Sequence, residues 1–221
     1  MVGSDRDVGR FDRWAAAYDR DPLQERFFGP VHEQTLKLVR GLGVTPQRVL
    51  DIGCGTGALL RAMGQEFPGA ELAGVDAAGG MIWTARQARI PATLAQASAA
   101  ALPFSGQAFD LVMSTVSFHH WGDQRAGLAE VGRVLAPGGV FVLTDLHAVG
   151  YLRVIYALGR RRGRMHTKRE LTAMLAGAGL HASDWAPIFD LDVLLPLRAR
   201  RHRPPTGRMP LVTAAVARKQ P

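Results

Sequence analysis

Cysteine is almost missing from this 221-residue chain, in which Cys54 stands alone. A disulfide framework is excluded by that count, and so is a zinc site built from thiolates. No apolar run approaches the ~18 residues that would span a bilayer. The first ten residues, MVGSDRDVGR, lack the apolar stretch of a signal peptide. These absences predict a soluble, cytoplasmic chain in a reducing compartment. What is present, 47% apolar and 21% charged residues, suits a single domain over 1–221 with a buried core.

Acidic charge is scarce at one end of the chain. The formal charge of +8 raises the question of nucleic acid or anionic membrane partners. Residues 1–150 hold 13 basic and 15 acidic side chains, whereas residues 151–221 hold 14 basic and 4 acidic. The excess is therefore C-terminal. Of the 27 cations only three are lysines, an arginine bias that a GC-rich genome would also produce.

From about residue 46 to 146, short β-branched runs alternate with amphipathic segments, the pattern of βαβ units around a mostly parallel sheet. The expected strands are RVLDIG (48–53), ELAGVD (71–76), ATLAQAS (92–98), FDLVMSTV (109–116) and GVFVLTDL (139–146). Between the last two, Leu128, Val131, Val134 and Leu135 recur at helical spacing until Pro137-Gly138-Gly139. Ahead of the first strand, Phe11, Trp14, Ala15 and Tyr18, then Leu36, Leu38, Val39 and Leu42, predict two helices outside the sheet, a lid over 1–45. The segment 147–221 holds YLRVIYALGRRRGR (151–164), a helix opened by Thr167 and Glu170 at capping-box spacing, and strands near 184–190 and 211–218. RARRHRPPTGR (198–208) reads as an exposed loop between those strands. The expected fold class is α/β, a doubly wound, mostly parallel seven-stranded sheet with N-terminal lid helices and a C-terminal antiparallel hairpin.

The sharpest local signal is VLDIGCGTG (49–57), a buried strand running into glycines at 53, 55 and 57 and then a helix. Glycine permits the turn and lets a ligand approach the backbone. The spacing is one residue shorter than the dinucleotide fingerprint G-x-G-x-x-G. Asp51 beside the turn would repel a pyrophosphate and attract a cationic, amino-acid-like group. Nineteen residues past Gly57, Asp76 ends the second strand, where a carboxylate can accept from both hydroxyls of a ribose. An adenosine-containing ligand at the C-terminal edge of the sheet satisfies both features, whereas an isolated Asp there would read as a solvated turn residue.

These residues resemble the class I S-adenosylmethionine-dependent methyltransferases, in their small-molecule branch of quinone-biosynthesis and natural-product enzymes. VLDIGCGTG matches the first motif, Val75-Asp76 followed by Met81 the second, ALPFSGQAFDLV (101–112) the third-to-fourth-strand region, and EVGRVLAPGGVFVLTDL (130–146) the fifth-strand motif. FDRWAAAYD (11–19) is similar to the branch's N-terminal helix. The resemblance implies S-adenosylmethionine as cofactor, a Rossmann-like methyltransferase fold, and roles by residue. Gly53, Gly55 and Gly57 would pass under the methionine and ribose parts, with Asp51 near the amino-acid end. Asp76 would hold the ribose, Met81 would pack on adenine, Tyr18 would cap the methionine carboxylate, and Thr115 would line the methyl-transfer face. Ala77, Ser98 and Ala99 complete the implied cofactor set. Ser98 stands where the family usually has an acidic residue, and Ala78 stands where it often has a capping serine.

Methyl transfer is an in-line displacement that depends chiefly on positioning, and a base is needed only when the nucleophile keeps its proton until late. His119 and His120 follow the fourth strand and are the candidates for that base or for orienting the acceptor; packing against Trp121 and a loop hydrogen bond is the competing structural reading. Cys54 reads as a small packing residue, and no His/Asp/Glu cluster has metal-ligand spacing. After the fourth strand stands STVSFHHW, in place of the Asn/Asp-Pro-Pro-aromatic motif of base-methylating relatives. The expected acceptor is a small aromatic or lipophilic metabolite. A nucleic-acid-binding or RNA-modifying role for Arg160–Arg164 and Arg198–Arg203, a peripheral membrane contact through 151–164, and a non-catalytic cofactor-binding module remain as alternatives.

Overall fold

Alternation of apolar residues along the chain builds one sheet in the computed structural model, which describes residues 2–146, 165–190 and 210–220. The strands are β1 (Arg48–Ile52), β2 (Glu71–Asp76), β3 (Ala92–Gln96), β4 (Phe109–Thr115), β5 (Leu135–Leu146), β6 (Leu180–Asp190) and β7 (Pro210–Lys219). Their order is β3-β2-β1-β4-β5-β7-β6. β1 to β5 are mutually parallel, and β7 runs antiparallel to both neighbours. The chain winds one way from β1 to β3 and the other way from β4, so the C-terminal ends of β1 and β4 open a crevice where this topology binds ligands.

The period of two along each strand divides the core. Leu50, Ile52, Val112, Phe141 and Leu143 join the cluster that holds Leu128 and Val131 of α5 (Gln124–Val134) and Leu171 and Leu175 of α6 (Lys168–Gly177). Val49, Leu111, Met113, Val140 and Val142 join the cluster that holds Val31 and Val39 of α2 (Gly29–Gly41) and Leu59, Leu60 and Met63 of α3 (Ala58–Glu66). Helices thus cover both faces, and each large buried side chain contributes about 1.5–3 kcal/mol. α1 (Val2–Tyr18) lies against α4 (Gly79–Gln87), where Ala15, Ala78 and Met81 form a third small cluster. A single π-helical turn, Gln24–Phe28, leads into α2.

The capping box expected at Thr167 is present, with Glu170 N–H donating to Thr167 Oγ1 at 3.3 Å and Thr167 N–H to Glu170 Oε2 at 2.8 Å. β6 starts at Leu180, four residues before the expected strand, because Gly179 at φ 73° turns α6 directly into it. Its outward His181, Ser183 and Asp184 mask the strand pattern in the sequence. β5 opens with Leu135 opposite Phe109, and the register then shifts so that Leu111 faces Val140. Pro137-Gly138-Gly139 therefore forms an irregularity within β5 rather than a separate turn. The stretches 151–164 and 198–208, with their arginines and the candidate membrane contact, lie outside the described residues. No helix among the described residues is long and apolar enough to cross a membrane.

Candidate active site

The loop after β1 is held open by its glycines. Gly53, Gly55 and Gly57 have φ of 77°, 54° and 81°, the left-handed region that other residues reach only with strain. Gly53 and Cys54 N–H both donate to Val75 O, at 2.8 and 3.0 Å. This pins the loop across the end of β2. Asp76 then braces it, with Oδ2 accepting from Gly55 N–H at 3.0 Å and Oδ1 from Ala78 N–H at 2.8 Å. A Cβ on Gly55 would meet no atom within 4 Å, and Gly55 lines a cavity of about 490 Å³, a size that suits a small-molecule site. The backbone is bare toward that space.

Asp51 is buried behind the loop, and its Oδ1 has no hydrogen-bond partner. Burial, with Asp76 nearby, pushes its carboxyl up to about 7. A buried carboxyl oxygen without a partner is costly unless a donor or a positive charge reaches it. Burial likewise pushes the Asp76 carboxyl upward against the two backbone N–H groups it accepts. The Cys54 thiol is raised well above its ordinary value by burial and then by Asp51, so its thiolate is not a nucleophile here.

Over the cavity, α1 is fastened by carboxylates. Asp12 Oδ1 accepts from Gly80 N–H at 2.8 Å, supplying from another helix the cap that Ala78 cannot give to α4. Asp19 Oδ1 accepts from Thr56 Oγ1 at 2.6 Å, fixing the far end of the helix to the glycine loop. His120 Nδ1 lies 3.2 Å from Asp7 Oδ2. The aromatic rings continue the closure, with Tyr18 4.7 Å from Trp14 and 5.6 Å from Phe28, and Phe27 5.3 Å from Phe189 of β6. Burial raises the Tyr18 hydroxyl to about 12, so it remains a neutral donor.

The two histidines after β4 part company. His119 Nδ1 is 2.6 Å from Asp145 Oδ1, and its backbone N–H donates to the other oxygen at 3.1 Å. Asp145 is fully buried, yet His119 beside it holds its carboxyl below the ordinary value. His120 lines the cavity, packs 5.1 Å from Phe11 and 3.9 Å from His119, and is lowered to about 4 by burial and then by His119. Between β4 and this turn, Val116 sits at φ 51°, a costly conformation for a β-branched residue that recurs at functional sites. Among the described residues no group of three or more His, Cys, Asp or Glu side chains could hold a metal ion.

Comparison with known proteins is consistent with this geometry. Residues 49–139 match the family described as a methyltransferase domain. The chain is 36% identical over 201 residues to a malonyl-[acyl-carrier protein] O-methyltransferase of Geobacter sulfurreducens, covering 82% of this chain and 71% of that protein. The chain belongs to the class I S-adenosylmethionine-dependent methyltransferases. A demethylmenaquinone methyltransferase of Thermus thermophilus is 40% identical over 104 residues, 45% of this chain and 47% of its own length. The backbone also superposes, with a TM-score of 0.74 at 23% identity, on a chain of the complex between the Haloferax volcanii Trm112 methyltransferase activator and a methyltransferase, covering 96% of this chain and 98% of that one.

The cofactor of this methyltransferase carries an ammonium, a sulfonium and a ribose, and the residues present fit those groups. Asp76 retains free lone pairs for hydroxyls and Gly55 leaves room for close approach, while the buried Asp51 carboxyl places its unpaired oxygen behind the glycine loop. Tyr18, Gly53, Asp76, Ala77 and Met81 line the cavity, as do Ser98, Ala99 and Thr115; Asp51 and Gly57 stand behind its wall. Ser98 Oγ accepts from Ala100 N–H at 3.2 Å, so its hydroxyl is partly spent on its own turn. His119 is not part of the cavity lining. The sequence reading missed Asp7 and His32, both of which line it. Acids on an amphipathic helix read as solvated, and a lone histidine carries no spacing signal, whereas the φ constraint on the glycines leaves a mark in sequence.

Proposed function

We infer that this methyltransferase modifies an uncharged, largely apolar small molecule held under the lid formed by α1 and α2. The observation that carries this reading is the cavity wall. Phe11, Phe28 and Trp121 supply apolar surface, Asp7 supplies negative charge, and no Lys or Arg is among the described lining residues. An anionic acceptor would meet repulsion there. The relatives' names point to a quinone and to a protein-carried malonyl group, and the electrostatics favour the quinone-like class.

S-adenosylmethionine supplies an electrophilic methyl carbon. The chain's own residues orient and exclude water. Asp51 would take the ammonium end, Asp76 the ribose and Met81 the adenine, while Tyr18 would donate to the carboxylate. His120, aimed by Asp7 of the lid, would orient the acceptor at the mouth of the transfer site, and His119 would fix that turn through Asp145. Positioning of this kind contributes most of the rate in such displacements.

The test is transfer of label from S-adenosyl-[methyl-³H]methionine to organic-extractable product, with 1-naphthol and 1,4-naphthohydroquinone set against a malonyl thioester. Label in the aromatic acceptors and none in the thioester is expected. The opposite distribution would overturn the assignment.

A further inference from the structure

His32 stands apart from every other histidine around the site. It lies on α2, one turn after Phe28, and both side chains line the cavity. The turn that carries it is rigid: Val31 is fully buried, and Thr35 Oγ1 reaches Thr144 Oγ1 of β5 at 3.2 Å. His119 is committed to Asp145 and His120 to Asp7. Among the described residues His32 makes no hydrogen bond, ion pair or ring contact. An imidazole that lines the cavity with neither nitrogen engaged is open to a hydrogen bond from a ligand there.

We propose that His32 is the acceptor-binding residue of this enzyme, taking a hydrogen bond from the hydroxyl of a phenol-like acceptor and receiving its proton as the methyl group is transferred. The proposal rests on the reading of the cavity as an acceptor site. In the step, the acceptor oxygen forms a bond to the methyl carbon. The sulfur–methyl bond breaks with its electron pair returning to sulfur, and the O–H proton passes to the open nitrogen of His32. Neutral thioether and imidazolium result, so charge is conserved. Burial lowers the imidazole to about 4, so it is neutral and accepts the hydrogen bond at pH 7, and the imidazolium formed during transfer passes its proton on to solvent. The other titratable groups lining the cavity are Asp7 and Tyr18 of α1, Asp76 at the end of β2, and His120 after β4. Asp7 is engaged by His120, Asp76 by backbone N–H groups, and Tyr18 stays protonated. His120, held through Nδ1, orients the acceptor from the other wall, and His32 is the imidazole with neither nitrogen engaged by a described residue.

Wild type, His32→Ala and His32→Gln are compared in two measurements. Calorimetry should show S-adenosylmethionine affinity unchanged within about twofold in all three. 1-Naphthol should bind to the complex with S-adenosylhomocysteine about tenfold more weakly in the alanine variant, with affinity largely restored by glutamine. In turnover of 1-naphthol at pH 7, both variants should fall by about 100-fold, within the range for loss of a general base. Their rates should then climb with pH toward ionisation of the naphthol, while the wild-type rate stays flat. Wild-type rates in either variant, or a loss of the same size at every pH, would overturn the proposal. So would wild-type protein that binds the donor and leaves 1-naphthol untouched. Wild-type protein that fails to bind the donor would instead remove the methyl-transfer reading, and the proposal with it.

Discussion

Asp51 is the residue whose chemistry depends most on what fills the cavity. Its carboxyl is held near 7 by burial and by Asp76, with one oxygen unpaired. A cation bound beside it lowers that value, so binding must expel a proton from the fraction that is protonated. The sign follows: affinity for S-adenosylmethionine falls as pH drops below about 7, by up to about tenfold per unit, because protonation competes with the ligand. Titration at pH 6 in two buffers of different ionisation enthalpy should show net proton release, and Asp51→Asn should abolish both the release and the acid-side loss. Gly55 predicts a different failure. A side chain there would point into the cavity from a φ of 54°, so Gly55→Ala should weaken donor binding by at least about tenfold while costing only about 1–2 kcal/mol of stability. Both residues are legible in sequence because a glycine turn and an adjacent acid leave a fixed spacing. His32 is not, since its role comes from a lack of partners that only the packed structure reveals.

At the scale of elements, the lid is fastened rather than merely laid over the site. Asp7 and Asp19 reach His120 and Thr56 of the cavity wall, and Asp12 reaches Gly80 in the first turn of α4. Gly80 admits the close approach, because a Cβ there would stand 2.9 Å from Asp12 O and 3.3 Å from Ala15 Cβ. Asp12→Ala removes the surrogate cap of α4, worth about 1 kcal/mol. Amide exchange in α1 and the first turn of α4 should quicken about fivefold, with β1, β4 and β5 unchanged. Exchange that quickens everywhere, or nowhere, would contradict a local latch. The helices of the lid are visible in sequence as apolar periodicity, and the missing cap at Ala78 is visible too. Its replacement is not, because Asp12 and Gly80 are 68 positions apart and an acid on a helix face carries no sign of its partner.

For the whole molecule, the mostly parallel sheet makes one core on each face and one crevice at the reversal of strand order. Phe141, fully buried in β5 and set among Leu50, Val112 and Leu143, is where the core is most exposed to truncation. Phe141→Ala should cost about 3–5 kcal/mol, a large share of the ~5–15 kcal/mol typical of a domain, readable as a fall in the denaturant midpoint. The strand pattern makes this architecture legible from β1 to β5, where the runs of β1, β2, β4 and β5 are largely apolar and buried. It was less clear at the end, where β7 lies between β5 and β6 and long-range pairing, not local pattern, fixes the order. The charge that first pointed to nucleic acid is concentrated past residue 150, in sequence after the segments that carry the glycine loop, Asp76 and the lid carboxylates.

The account turns on a donor site built by Asp51, the glycine loop and Asp76 and closed by α1. Calorimetric titration of the wild-type protein with S-adenosylmethionine tests it most directly. One site per chain is predicted, with a dissociation constant between ~1 µM and ~1 mM, the range common for enzyme substrates, together with proton release at pH 6. Absence of saturable binding up to several times that upper bound would contradict it.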